Sequence, residues 1–337
     1  MEDKGFLVGD IGGTHIRLAL WLKQGLFMER RILSASVPSF LGFLRLLQGF
    51  WQEICEKTGN RPAAISLGVA GVVNANVARG INLPWNVDGN VISEEMGCPV
   101  HILNDFEAAS WGVLAVEAQN GLVNGQQVLH VLNAGIPQAN RPRVVLGAGT
   151  GLGESAIIPI NSGYKVLVTE GGHCDFAPRT ALEMELLQAL FLRYGRVSVE
   201  RVLSGRGLSE IHAFLTAKQT GQAFEEVTPW EPSKITSLAL SGENSLCVQT
   251  LNMFCSIYGA EAGNLCLKYL ALSGVYVAGG IVNHILSFLP TSPFMAAFCQ
   301  KGRLRFIMEN TPVKVVCYDG LGMLGAGKNS HSSLSIL

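Results

Sequence analysis

Glycine-rich turns follow apolar strands at three places in the chain, and such turns can hold an anion. Residues 10–14 read DIGGT, residues 147–153 read GAGTGLG, and residues 278–280 read AGG. Glycine allows positive φ and a close approach of backbone to anion, so several N–H groups can converge on one phosphate. Each turn taken alone is also compatible with an ordinary hairpin. Three of them in one chain predict a site for a polyphosphate and its adjoining base.

Two common classes of nucleotide site do not fit the central turn. A Walker loop requires a Lys, and residues 147–154 contain none. The letters of a dinucleotide fingerprint occur at Gly151, Gly153 and Ala156, but residues 157–160 read as a strand where that fingerprint opens a helix. The predicted nucleotide site therefore belongs to another class.

Two carboxylates, Asp10 and Asp105, have both an ordinary and a chemical interpretation, and a third, Glu200, has an ordinary one. Asp10 can be an Asx-turn or hairpin aspartate in the first glycine turn, or it can face a magnesium–nucleotide complex through water. Asp105 follows an apolar strand and precedes a helical pattern, so it can be a helix N-cap. Because ligands collect at the carboxyl ends of strands in α/β sheets, Asp105 can also accept a proton from a substrate hydroxyl. Glu200, in VSVERVLSG, reads from the residues alone as an exposed helix residue.

A compact polar stretch, EGGH at residues 170–173, lies between apolar segments. A carboxylate accepts hydrogen bonds and an imidazole can donate or accept, so Glu170 and His173 suit a polyhydroxyl ligand. The stretch is also compatible with a solvated turn, and His173, Cys174 and Asp175 are residue types that ligate metals. A structural zinc requires four spaced ligands, and the sequence nearby supplies no further Cys or His cluster, which disfavours zinc.

Apolar periodicity and capping signals predict the main elements. Predicted helices cover residues 40–57, 105–117 and 244–270, with a further helix after a capping box at Thr180 and Glu183. Predicted strands cover residues 63–69, 99–104, 143–146, 155–160, 275–278 and 313–317. Strand, glycine turn and strand occur twice, about 137 residues apart from Gly12 to Gly149, which indicates two similarly folded halves facing one cleft. Residues 122–142 mix Gly, Asn, Gln and Pro and are predicted to form a surface segment near the junction of the two lobes.

Composition narrows the class of protein. A chain of 337 residues exceeds the usual size of one core, so two lobes are expected. With 25 basic and 26 acidic residues the chain offers no basic stripe for nucleic acid, and its 48% hydrophobic content supplies a large core. The longest uncharged stretch, residues 269–300, is interrupted by Gly and Pro, which argues against a membrane span. The start lacks the pattern of a signal peptide and the eight Cys lack a C-x-x-C pair, so we expect a cytosolic protein without disulfides.

The assembled motifs resemble those of bacterial glucokinase, and they occur in that family's order over nearly the whole chain. They are Asp10-x-Gly12-Gly13-Thr14, Leu103-Asn104-Asp105-Phe106, Gly147-Ala148-Gly149-Thr150-Gly151-Leu152-Gly153, Glu170-Gly171-Gly172-His173-x-Asp175-Phe176-Ala177-Pro178, Glu200-Arg201-Val202-Leu203-Ser204-Gly205 and Ala278-Gly279-Gly280-Ile281-Val282. The related repressor/kinase family often carries a Cys-rich zinc motif after its E-x-G-H. No such motif follows His173 in this sequence, which favours the zinc-free glucokinase branch.

The resemblance implies an α/β, two-lobed sugar-kinase/actin-like (ribonuclease H-like) fold with duplicated mixed-sheet domains around a central cleft. It places residues 1–115 and about 316–337 in a small domain and about 116–315 in a large one. It implies ATP-dependent phosphorylation of D-glucose at the 6-hydroxyl, with Mg²⁺, as the first step of glycolysis in the cytoplasm. It also implies a homodimer.

The resemblance assigns roles to individual residues. The residue matching Asp105 is the general base, and Asn104, Glu170, His173 and Glu200 hold the sugar hydroxyls together with it. The nucleotide is assigned to the three turns, at Gly9, Asp10, Ile11, Gly12, Gly13, Thr14, Gly149, Thr150, Gly151, Gly279 and Gly280. His15 and Cys174 depart from residues common in the family without removing a proposed catalytic group.

Other functions remain open at the level of the residues. A kinase of the same fold could act on mannose, fructose or an N-acetylated amino sugar, because the sequence does not reveal sugar stereochemistry. A sugar-sensing transcriptional regulator is disfavoured, since only nine residues precede Asp10 and a helix-turn-helix module needs more. A sugar-binding protein without activity is disfavoured by the presence of every expected catalytic residue type.

Overall fold

The computed structural model describes residues 5–22, 25–80, 83–161 and 163–334. Two compact units divide the chain: one spans Met1–Val128, Ile160–Val168 and Tyr318–Leu337, and the other spans Leu129–Pro159 and Thr169–Cys317. The first unit thus includes residues 116–128 and 160–168, which the family resemblance assigned to the larger domain.

The β-strands of the described residues are numbered in chain order. They are β1 (Phe6–Ile11), β2 (His15–Leu22), β3 (Gly25–Leu33), β4 (Ile65–Val69), β5 (Gly71–Asn74), β6 (Val77–Gly80), β7 (Val87–Asp88), β8 (Val100–Asn104), β9 (Leu122–Val123), β10 (Gln126–Gln127), β11 (Leu129–Asn133), β12 (Arg143–Ala148), β13 (Leu152–Ile160), β14 (Gly163–Thr169), β15 (Gly274–Ala278) and β16 (Val313–Val316).

The α-helices of the described residues are numbered in the same way. They are α1 (Phe40–Thr58), α2 (Gly89–Met96), α3 (Asp105–Ala118), α4 (Ala181–Tyr194), α5 (Val199–Val202), α6 (Gly205–Thr220), α7 (Pro232–Ser241), α8 (Ser245–Tyr269), α9 (Gly280–Ile285), α10 (Phe294–Cys299), α11 (Arg305–Asn310) and α12 (Leu321–Leu334).

A mixed sheet with the order β3-β2-β1-β4-β8 forms the core of the first unit. β1 pairs antiparallel with β2 and parallel with β4, and β4 pairs parallel with β8. Every residue of β4 is buried, as expected for a parallel strand covered on both faces. The C-terminal helix α12 packs against α3, β1 and β4. A β-carbon on Gly325 would overlap the carbonyl of Ala108, so α12 and α3 touch backbone to backbone.

The second unit repeats this arrangement in a sheet that contains the order β11-β16-β15-β12-β13. β12 pairs antiparallel with β13 and parallel with β15, as β1 does with β2 and β4. The long helix α8 contacts this sheet at β12 and β15, and α6, α7 and α10 pack on α8. The mixed α/β class predicted from the sequence is confirmed, and the repeated glycine hairpin is present in both units.

Local signals located the helix ends well. Ser39 caps α1 through its side chain and Gly59 ends the helix in the left-handed conformation. Thr180 caps α4 by accepting a hydrogen bond from Glu183 N at 3.1 Å. The prediction for residues 122–142 was incomplete, because β9, β10 and β11 lie within this stretch and β11 pairs with β16. β11 pairs with a strand that is far away in the sequence. The Gly, Asn, Gln and Pro residues around β11 therefore indicated a surface segment and gave no sign of this pairing.

The described helices do not include one that is long and apolar enough to cross a membrane.

Candidate active site

The first glycine turn, residues 12–14, joins β1 to β2 and is held by neighbouring backbone. Gly12 N donates to His15 O at 3.0 Å, and Ser34 Oγ donates to Gly12 O at 2.6 Å. Gly13 and Thr14 are exposed, whereas Gly9 and Ile11 are buried within β1. Gly13 and Thr14 therefore present accessible backbone at the end of the strand.

Asp10 lies within β1 rather than in the turn that follows it. Its cross-strand partner is Arg17, and its parallel neighbour is Gly68. Burial raises the pKa of the Asp10 carboxyl, and the charge of Arg17 acts in the opposite direction. Arg17 also donates to Glu29 and to the carbonyl of Asp319 at 2.8 Å. Asp10 is therefore a residue of the β1–β2 hairpin, as one of its two ordinary interpretations expected, and it lies in the sheet rather than in an Asx turn.

Asn104 and Asp105 lie at the same edge of this sheet, where β8 ends and α3 begins. Asn104 is the N-cap: its Oδ1 accepts from Phe106 N at 2.9 Å and its Nδ2 donates to Gly71 O at 3.0 Å. Asp105 is the exposed first residue of α3, so the alternative that Asp105 is the N-cap is wrong. The carboxylate of Asp105 lies at a helix N-terminus, where negative charge is favoured.

Gly68 connects Asp105 to the first turn. A β-carbon on Gly68 would lie 3.7 Å from Gly9 O and 4.0 Å from Asp105 Cα. The carboxyl ends of β1, β4 and β8 thus bring the Asp10 strand and the Asp105 helix together in the first unit. This is the edge at which ligands bind in α/β sheets.

The second glycine turn, residues 149–151, joins β12 to β13 in the second unit. Gly149 N donates to Gly151 O at 2.8 Å, and Gly205 N, at the start of α6, donates to Gly149 O at 2.9 Å. Glu200 Oε2 accepts from Leu152 N at 3.0 Å. A β-carbon on Gly151 would lie 2.5 Å from that same oxygen, so a larger residue there would displace the Glu200 carboxylate.

The third turn lies beside the second. Gly279 has φ of 93°, which favours glycine, and a β-carbon there would lie 2.7 Å from Ala148 O. A β-carbon on Gly149 would lie 3.9 Å from Gly280 N. Gly279, Gly280 and Thr150 are exposed. The structure therefore brings two of the predicted phosphate turns into contact within one unit.

Glu170 precedes a 3-10 turn, Gly171–His173, whose last residue is His173, and both Glu170 and His173 are exposed. His173 N donates to Glu170 O at 3.0 Å, and the carbonyl of His173 accepts from Arg196 at 2.6 Å. Val199 N donates to Cys174 O at 2.8 Å. Since Glu200 directly follows Val199, the segment that carries His173 is tied to the helix that carries Glu200.

Glu200 is half-buried on α5 and bonded to the second turn, so it is not the exposed helix residue of the ordinary interpretation.

The interpretation of His173, Cys174 and Asp175 as zinc ligands gains no support, because the described residues contain no group of three or more His, Cys, Asp or Glu that could hold a metal.

Glu154 is a buried carboxylate that the sequence analysis did not single out. It follows the second turn on β13, is 1% exposed, and has no hydrogen-bond partner for either carboxylate oxygen among the described residues. Burial and the charge of Glu261 raise the pKa of Glu154 to about 7, and Lys268 opposes the shift. A β-carbon on Gly171 would overlap Glu154 Oε2, so this carboxyl packs directly against the Glu170 turn. Only its position after GLG could have drawn attention to it.

The site residues thus form two sets, one in each unit. The first set holds Asp10, residues 12–14, Asn104 and Asp105, and the second holds residues 149–151, Glu170, His173, Glu200 and residues 279–280. Carboxylates, amides and glycine backbone at strand ends are the groups by which α/β enzymes bind sugars and phosphates.

Comparison with known proteins identifies the family of the chain. The family model for glucokinase matches residues 7–332. A glucokinase of Nostoc punctiforme is 35% identical over 344 residues, covering 95% of this chain and 97% of that protein. The crystal structure of glucokinase from an Antarctic psychrotroph superimposes with a TM-score of 0.83 at 28% identity, over 97% of this chain and 99% of that one.

A more distant structure shares the fold. The ROK family glucokinase of Streptomyces griseus, in complex with glucose and AMPPNP, has a TM-score of 0.61 at 20% identity, over 96% of this chain and 98% of that one. The fold is therefore that of the sugar kinases. The chain belongs to the glucokinase family, as the motifs predicted.

Proposed function

We propose that this protein transfers the γ-phosphoryl group of ATP to the 6-hydroxyl of D-glucose, giving glucose 6-phosphate and ADP. The observation that carries the proposal is the match to the glucokinase family over residues 7–332. The complex of the Streptomyces griseus enzyme with glucose and AMPPNP supports the same pair of substrates.

The sugar is held by Asn104, Asp105, Glu170, His173 and Glu200 in this proposal. Glu170 and His173 are exposed on a turn that is fixed by Thr169, whose Oγ1 donates to Glu154 O at 3.0 Å and accepts from Gly171 N. Glu200 uses Oε2 for Leu152 N, which leaves Oε1 for a sugar hydroxyl. Asn104 uses Oδ1 to cap α3 and one N–H of Nδ2 for Gly71 O, so it would offer the sugar its second N–H.

Asp105 is the proposed general base. It accepts the proton of the 6-hydroxyl while the sugar oxygen forms a bond to the γ-phosphorus, and the bond from that phosphorus to the β-phosphate bridging oxygen breaks as ADP leaves. Its exposed position at the first residue of α3 supports this role, because the carboxylate is accessible and is positioned by a capped helix. A positioned base of this kind is typically worth about 10²–10⁴ in rate.

The residues present fit Mg²⁺ supplied with the nucleotide. Mg²⁺ usually keeps several waters and takes one or two carboxylates besides substrate phosphates. Asp10 supplies one carboxylate near the end of β1, beside the first turn, which suits that mode of binding. When bound, the ion would neutralise phosphate charge, and Asp10 would hold it through water.

We further propose that the enzyme is a homodimer of the cytoplasm that acts at the first step of glycolysis, as its family resemblance implies. Analytical ultracentrifugation of the purified chain tests the assembly, and a monomer at micromolar concentration would contradict it.

A coupled assay for ADP release, with ATP, Mg²⁺ and a panel of hexoses, tests the activity. We expect kcat/KM for glucose to exceed that for mannose, fructose and N-acetylglucosamine, and the product to be phosphorylated at O6. A higher kcat/KM for another hexose would replace glucose as the substrate, and lack of ADP release with every sugar would reject the proposal.

A further inference from the structure

The parallel ladder between β12 and β15 ends at the two glycine turns of the second unit. Its last paired residues are Gly147 and Ala278. Beyond this pair, Ala148 leads into the turn at residues 149–151, and Gly279 leads into α9. The two strands therefore stop pairing where the proposed nucleotide site begins.

The side chain of Tyr258, in the middle of α8, bridges the two strands just beyond their last paired residues. Tyr258 is 0% exposed, and its hydroxyl oxygen accepts from Ala148 N at 3.0 Å. The same hydroxyl donates to Ala278 O at 3.3 Å. One hydroxyl thus joins the ends of both strands, from a residue 110 positions away from Ala148.

The ring of Tyr258 is fixed by its surroundings. Phe254 and Phe294 meet it edge-to-face, with ring centroids 5.8 and 5.7 Å away. A β-carbon on the adjacent Gly259 would overlap Phe294 O, so α8 and the start of α10 are in backbone contact at this point. Burial raises the pKa of the Tyr258 hydroxyl, which therefore keeps the proton that it donates.

Small displacements of these strand ends would alter the turns directly. Gly279 packs so closely on Ala148 that a β-carbon would lie 2.7 Å from Ala148 O. The N–H groups of Gly149 and Gly280 follow closely on the two strand ends, so their spacing depends on how firmly those ends are joined.

We propose that Tyr258 is a positioning residue for the nucleotide: its hydroxyl sets the spacing of the turn at residues 149–151 and the start of α9, and thereby the affinity for ADP and ATP. The inference rests on the proposed function only in placing the nucleotide at these two turns.

The test compares Tyr258→Phe with Tyr276→Phe. Tyr276 is also 0% exposed and lies on β15, but its hydroxyl contacts Lys314 on β16. The measurements are the Kd of ADP·Mg²⁺ by calorimetry, the KM values for ATP and glucose, and hydrogen exchange in peptides that cover residues 146–153 and 277–283.

For Tyr258→Phe we expect the ADP Kd and the ATP KM to rise about fivefold or more, because Ala148 N–H loses its acceptor and the strand ends separate. The glucose KM stays within about twofold, since the Glu170 turn has its own contacts. Exchange rises in both turn peptides. Tyr276→Phe leaves the ADP Kd within about twofold.

If Tyr258→Phe lowers the melting temperature but leaves the ADP Kd unchanged, the tyrosine contributes only to the stability of the core. That result would overturn the proposal. An equal rise in the ADP Kd for both variants would overturn it as well. If Tyr258→Phe does not fold, Phe254→Leu removes one of the rings that fix Tyr258 without altering either turn, and an unchanged ADP Kd there is equally contradictory.

The calorimetry also separates this inference from the proposed function. Unaltered protein that binds ADP but phosphorylates no hexose rejects the activity and leaves the test of Tyr258 intact. Unaltered protein that does not bind ADP rejects both.

Discussion

The hairpin between β1 and β2 and the hairpin between β12 and β13 have the same kinds of strand partners, yet different groups hold their turns. The first turn is closed by His15 and by Ser34, both within 22 residues of Gly12. The second turn is anchored by Glu200 and Tyr258, which are 48 and 110 residues from their bonding partners.

A glycine motif therefore does not reveal how its backbone is held. The first turn is supported by the neighbouring strand β2 and by the 3-10 turn Ser34–Ser36, which follows β3. The second turn is hydrogen-bonded to residues of α5, α6 and α8, so its geometry depends on how those helices pack. Changes far from the second turn should therefore affect it, whereas the first should respond to its neighbours.

The largest expected effect concerns the chemistry at the edge of the first unit. Asp105→Asn should lower kcat by about 10²–10⁴, because the amide cannot accept the hydroxyl proton. The variant should fold, since Asn104 rather than Asp105 caps α3. Steady-state kinetics and a glucose-binding titration check both points. A near-normal kcat would exclude Asp105 as the base.

The second effect concerns Glu154, whose pKa is raised to about 7 from an ordinary value of 4.5. A carboxyl with a raised pKa binds its proton more tightly in the folded state, so its contribution to stability is greatest below pH 4.5 and falls as pH rises towards 7. In Glu154→Gln this loss is absent. The stability of the variant relative to the unaltered protein should thus rise by about 2–3 kcal/mol from pH 5 to pH 8.

Urea unfolding at the two pH values measures this difference. Glu225→Gln, at an exposed position, is the matched control and should give a difference close to zero. A pH-independent difference for Glu154→Gln would show that the carboxyl is not desolvated.

The third effect contrasts the two turns directly. A β-carbon would lie 2.5 Å from Glu200 Oε2 at Gly151, but 3.3 Å from the nearest atom, His15 O, at Gly12. Gly151→Ala should therefore push the Glu200 carboxylate away from Leu152 N and destabilise the protein by about 1 kcal/mol, and Gly12→Ala, which displaces no such hydrogen bond, by less. Melting temperatures of the two variants decide the matter, and a larger loss for Gly12→Ala would reverse the comparison.

The smallest effect tests the local support of the first turn. Ser34 is 5% exposed and donates to Gly12 O, whereas Ser36 is exposed and donates to Leu33 O. Ser34→Ala should cost about 1 kcal/mol of unfolding free energy, and Ser36→Ala less. Equal losses in chemical denaturation would mean that the first turn does not depend on Ser34.

Prediction from sequence succeeded where the signal is short-ranged. The caps at Ser39 and Thr180, the left-handed Gly59 and the strands on either side of both glycine turns follow from neighbouring residues. It missed β11, whose partner β16 lies nearly two hundred residues away. It also named Asp105 as a possible N-cap of α3, whereas the N-cap is Asn104. The family was recognised because several short motifs occur in a specific order.

The amino-acid sequence by itself determined the helix and strand periodicities, the caps, and the residue types that can bind a sugar and a polyphosphate, because these depend on contacts within a few residues. The tertiary structure alone decided which atoms complete the second turn, that Glu154 is sealed from water, and that Asp105 shares a sheet edge with Asp10. Those features arise from packing between segments distant in the chain, and packing depends on shape and burial that local periodicity does not encode.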